Sequence, residues 1–136
     1  MKETKKRRRA KKAEKMVDLI NNQTKIEFTK KMDKYIKIAV KSTLRHQKEK
    51  KMNVSILITD DEFIQGLNKQ YRQKDSATDV LSFPLYDENK EYDSNELGDI
   101  VISAEQALRQ AREFGHPIEQ ELAFLTVHSM LHLLGY

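Results

Sequence analysis

Cysteine and tryptophan are absent from this 136-residue chain, which holds only two prolines and four glycines. Without cysteine there is no disulfide framework, no thiolate nucleophile and no cysteine zinc cluster. The four glycines are scattered, so no Gly-rich phosphate loop exists. Long apolar runs are also missing. The most apolar stretch, at the C-terminal end, is interrupted by His128 and His132 and falls short of the ~20 residues a membrane span requires. Met16-Val-Asp-Leu-Ile-Asn-Asn22 supplies no apolar core for a secretory signal after the basic residues that precede it. These absences point to a cytoplasmic protein with no membrane association. The length suits one domain that buries its own core without staples.

Charge is abundant but unevenly spread. The chain carries a formal +4, while residues 1–15 alone hold nine Lys/Arg against Glu3 and Glu14, a net of +7, which leaves −3 for the rest. Lys5-Lys-Arg-Arg-Arg-Ala-Lys-Lys12 has no large apolar residue to anchor it. Residues 1–15 therefore read as a disordered basic extension that adds non-specific contact with RNA. The alternatives are a merely solvated extension, or a true start at Met16. Residues 16–136 read as the folded domain, with no repeat and no internal boundary.

Alternation in Thr24–Phe28 predicts a short strand, with Thr29 capping the helix that follows. Met32, Tyr35, Ile36, Ala39, Val40 and Leu44 recur at helical spacing. Lys48–Lys51 is a charged connection, and Met52–Thr59 a partly buried strand. Thr59-Asp-Asp-Glu62 reads as a capping box opening a helix with Phe63, Ile64, Leu67 and Tyr71 on its apolar stripe. A polar loop over Gln73–Thr78 leads to a strand over Asp79–Leu85, which Pro84 confines to an edge or an end. Tyr86–Glu96 is an acidic loop, and Leu97–Ser103 another strand. Ser103 with Gln106 caps the next helix, which Gly115 stops. Pro117 begins the last helix, Ile118–Leu134, apolar nearly all round and so expected to run through the core. The order predicts an α+β domain, a small mixed sheet of about four strands packed with helices.

The chemistry concentrates in that last helix. His128 and His132 are four apart, which places them on one helical face ~6 Å apart along the axis. Both imidazoles can then reach one metal ion. The other reading is a pair of core histidines, each hydrogen-bonded to a carbonyl. Ser129, not Glu, follows His128, so the general base of a zinc peptidase is missing and Ser129 reads as a small packing residue. Metal-activated water attacking a phosphodiester remains open. Arg72 ends its helix beside a polar loop, where its planar fork suits a phosphate or simply favours the helix dipole. Thr78 and Asp79 read as loop-to-strand punctuation, and His46 and His116 as solvent-facing or capping residues.

Three segments together resemble the bacterial YbeY family: Leu67-Asn-Lys-Gln-Tyr-Arg-Gln-Lys-Asp-Ser-Ala-Thr-Asp-Val-Leu-Ser-Phe-Pro84, Leu97-Gly-Asp-Ile-Val-Ile-Ser103 and His128-Ser-Met-Leu-His-Leu-Leu-Gly-Tyr136. The resemblance runs from about Met16 to Tyr136. It implies a single-strand-specific endoribonuclease of ribosomal RNA maturation and ribosome quality control, with zinc held by a His-x3-His-x5-His motif. His128 and His132 are similar to the first two ligands, and Arg72 resembles an arginine that faces the metal and holds phosphate. Ala77 stands where the family more often has proline. The third histidine would fall two positions beyond Tyr136, so the resemblance implies a ligand set incomplete within this chain. The alternative is then a catalytically impaired RNA- or ribosome-associated protein.

Overall fold

A computed structural model describes residues 16–47, 52–85 and 95–136. The expectations for the basic extension, the charged connection and most of the acidic loop lie outside these residues. The described elements are β1 (Val17–Asn21), α1 (Lys30–His46), β2 (Asn53–Thr59), α2 (Asp61–Arg72), β3 (Val80–Pro84), β4 (Glu96–Ser103), α3 (Ala104–Phe114) and α4 (Ile118–Leu133). The four strands form one mixed sheet in the order β1-β2-β4-β3. The first three are parallel, and β3 runs antiparallel to β4 at the edge. The architecture is the expected α+β domain.

The main core fills the face covered by α1 and α4. Val54, Ile56 and Ile58 from β2 meet Ile100 and Ile102 from β4, Ile36 and Val40 from α1, and Leu122, Leu125 and Met130 from α4. Among the described residues the opposite face carries a smaller cluster of Ile64, Leu81 and Val101, with Leu57, Leu67 and Phe83 beside it. Period-two alternation divides β2 cleanly between the two. One extra residue of β4, Leu97, lies between the pairs Asn53–Glu96 and Val54–Gly98. Gly98 (φ +154°) is required there, because a Cβ would lie 2.4 Å from the Phe83 carbonyl oxygen.

Three local expectations need correction. The first strand is Val17–Asn21, not Thr24–Phe28. The Gln23 amide donates to the Ile26 carbonyl at 2.8 Å and accepts from the Ile26 N–H at 2.9 Å, so the segment closes on itself as a loop. Its alternation instead reflects Ile26 and Phe28 packing on the core. The α2 cap is Asp60, whose carboxylate accepts from the Phe63 N–H at 2.9 Å; Thr59 is still in strand and fully buried. On that helix Ile64 is buried, but Phe63 and Tyr71 are exposed. Finally, α4 is not buried all round: Phe124, His128 and His132 face solvent. The caps by Thr29 and Ser103 and the left-handed stop at Gly115 are as expected.

Candidate functional site

The open edge of β3 organises the site. Asp79 accepts from the Ser103 N–H at 2.9 Å, and Leu85 donates to the Leu97 carbonyl at 3.0 Å. Odd-numbered residues therefore bond to β4, and Val80, Ser82 and Pro84 turn their backbone groups outward. Each outward position is managed, as an exposed sheet edge demands. Pro84 has no N–H to offer. The Val80 N–H donates to the Asp79 carboxylate at 2.8 Å, and the Ser82 carbonyl accepts from the Arg72 guanidinium at 2.9 Å.

Arg72 reaches this edge because of how α2 ends. Gln73 adopts a left-handed conformation (φ 57°), which a non-glycine residue takes at some cost. The buried Asn68 amide donates to the Ser76 carbonyl at 3.0 Å, fixing the turn. The Arg72 guanidinium lies 5.6 Å from the centre of the Phe83 ring, within range of cation–π attraction. A guanidinium has five N–H donors. With one hydrogen bond to Ser82 among the described residues, the fork keeps donors for an anion.

From the other side α4 supplies the imidazoles. The buried stripe of Leu122, Leu125, Thr126, Ser129, Met130 and Leu133 locks the helix face-down, so the i, i+4 pair projects outward. The His128 and His132 rings meet edge-on, centroids 5.0 Å apart. Both open on a cavity of about 270 Å³ that they share with Arg72, Asp79, Val80, Leu81 and Ser82. The structure thus brings together all three residues singled out in sequence, and it adds Ser82 and Asp79. Asp79 is more than punctuation: its second carboxylate oxygen accepts from the Gln110 amide at 3.2 Å, tying the cavity to α3.

The donor set suits a metal in type and spacing, since two exposed imidazoles converge on one polar hollow. It is also partial: no group of three His, Cys, Asp or Glu side chains that could hold an ion occurs among the described residues. Ser129 is fully buried and supplies no base. His46 is exposed. His116 lies 3.3 Å from the buried Glu121 carboxylate and belongs to the α3–α4 junction, not to this cavity. No helix among the described residues is long and apolar enough to cross a membrane.

Comparison with known proteins shows the family. A protein named endoribonuclease YbeY from Carboxydothermus hydrogenoformans is 47% identical over 121 residues, covering 89% of this chain and 82% of its own. One of the same name from Alkaliphilus oremlandii is 49% identical over 119 residues, covering 85% and 79%. A solution structure of a Thermotoga maritima protein superposes with a TM-score of 0.60 at 28% identity, covering 89% of this chain and 73% of that one. The profile of the family described as Endoribonuclease YbeY matches residues 18–136, a span that includes Arg72, the β3 edge and both histidines; the chain belongs to the YbeY family.

Proposed function

We propose that this chain is a metal-dependent endoribonuclease that cuts single-stranded RNA, with ribosomal RNA as its substrate in ribosome maturation and quality control. Support comes first from the relatives, which are named endoribonuclease. The observation that carries the site assignment is the convergence of Arg72, His128 and His132 on one polar cavity.

In this reading Arg72 holds the phosphate through its free donors, while its bond to Ser82 and the Phe83 ring set its direction. Charge-assisted contacts of this kind contribute about 1.5–3 kcal/mol each. The Asp79 carboxylate, which also lines the cavity, is held in place by the Val80 N–H, the Thr78 hydroxyl and the Gln110 amide, and these donors partly offset its charge. His128 and His132 offer ring nitrogens as two of the ligands of zinc. A zinc ion held there would supply a water of lowered pKa and a positive charge beside the phosphoryl oxygen. The +7 segment of residues 1–15 adds salt-dependent, sequence-independent attraction for RNA.

The two-imidazole set favours one further reading, an RNA- or ribosome-associated protein without effective cleavage. Zinc stoichiometry and affinity on this chain, beside a version extended by Asp-His after Tyr136, separate the two. One zinc per chain, with cleavage of single-stranded RNA that chelator and Arg72→Ala both abolish, is the expected result for the enzyme. Zinc held only by the extended version, with RNA binding indifferent to chelator, establishes the second reading for this chain.

A further inference from the structure

The positions of α4 that face solvent fall on one line. Phe124, His128 and His132 are four residues apart and all exposed, so their side chains stack one above another along the helix. The Phe124 ring lies within 12° of parallel to His128, centroids 6.5 Å apart. It is 65% exposed. Burial cannot account for an aromatic residue that leaves most of its surface in water. A scattered exposed phenylalanine needs no account, but this one extends the imidazole line by one turn, ~6 Å from the site along the axis.

We infer that Phe124 is a nucleobase platform, on which an unpaired base of the RNA stacks while its neighbouring phosphate reaches Arg72. The inference rests on the endoribonuclease reading and adds how a single strand is told from a duplex. A base inside a duplex has both faces covered by its neighbours, whereas a splayed base offers a π-face to an aromatic side chain. Every base has such a face, so the preference is for strandedness, not for sequence. A second exposed aromatic, Tyr71, adjoins Arg72 in sequence but packs edge-on against Phe83 at 5.4 Å. Both of those rings line a hollow on the far side of the sheet, away from the imidazoles.

The test titrates the full chain, free of metal, into three fluorescein-labelled probes of about ten nucleotides: single-stranded RNA, the same backbone without bases, and a duplex. Raised salt suppresses contacts made by the basic segment. Wild-type protein should hold the single strand about tenfold more tightly than the abasic backbone or the duplex. Phe124→Ala and Phe124→Leu should lose that margin, and Phe124→Tyr should keep it. An unchanged thermal midpoint confirms that the exposed ring was not holding the fold. A Phe124→Ala variant that keeps the margin overturns the inference, as does one that weakens all probes equally. So does a variant whose only defect is weaker zinc binding, because the ring then merely orients His128. Wild-type protein that binds none of the probes, with or without added zinc, overturns the nuclease reading as well; a margin that survives Phe124→Ala overturns this inference alone.

Discussion

Two hollows flank strand β3, one on either side of the sheet. The larger, about 520 Å³, is lined mainly by Ile20, Leu57, Leu67, Tyr71, Phe83 and Val101, together with Asp18 and Asp99. The smaller, about 270 Å³, holds Arg72, Asp79, Ser82 and both imidazoles of α4. Volume and chemistry have different origins here. Among the described residues α2 alone covers the face of the large hollow, four strands wide, and Ile20 is 55% exposed there. The small one exists where a helix end, an open sheet edge and an outward helix face meet, so backbone and side-chain polar groups converge. In the proposed reading the reactive side is the smaller hollow, against the general tendency of a large pocket to be the site.

The seam between the two hollows is the place to break that contrast. At Gly98 a Cβ would lie 2.4 Å from the Phe83 carbonyl oxygen and 2.9 Å from Leu133 Cδ2. Gly98→Ala must therefore displace β3, which carries Ser82 toward one hollow and Phe83 toward the other. Strain and overpacking together should cost about 3 kcal/mol, measured by denaturant unfolding, with zinc and RNA affinity falling as well. A variant as stable as wild type would show that β3 is free to shift and that the two sides are not coupled.

The sides should then separate. Leu57 is half-buried on the apolar side, and Leu57→Ala should cost about 2 kcal/mol while leaving zinc and RNA affinity unchanged. Arg72→Lys should do the reverse. A lysine keeps the charge but loses the planar fork, so cleavage should fall about tenfold with stability within about 0.5 kcal/mol of wild type. If instead Leu57→Ala lowers RNA affinity, the large hollow is part of the substrate path.

What could be read in the sequence follows how local each signal is. Helix α3 and strands β2 and β4 announce themselves because caps and periodicity lie within a few residues. Strand β1 does not: only Val17 and Leu19 of its five residues pack on the core, and its pairing partner lies beyond α1. The histidine pair is visible from its spacing alone. The approach of Arg72 is not, since it depends on β3 being an edge strand whose Ser82 carbonyl points outward; family resemblance supplied it. Phe124 was hidden because the helix reads as apolar throughout, and composition does not tell which apolar residue lies over solvent.

The smallest effect contrasts the two faces of α4 itself. One step from His128, Ser129 is fully buried and its hydroxyl has no hydrogen-bond partner among the described residues. One turn earlier the Thr126 hydroxyl donates to the Leu122 carbonyl at 2.7 Å, so an unpartnered hydroxyl is not the rule on this helix. A buried polar group left unpaired is costly, and replacing it by an apolar group of similar shape is neutral or favourable. Ser129→Ala should therefore raise stability, by less than about 1 kcal/mol, without moving zinc or RNA affinity. A loss of zinc affinity instead would mean that the Ser129 hydroxyl helps to fix the orientation of His128, and that the buried face of α4 takes part in the chemistry on its exposed one.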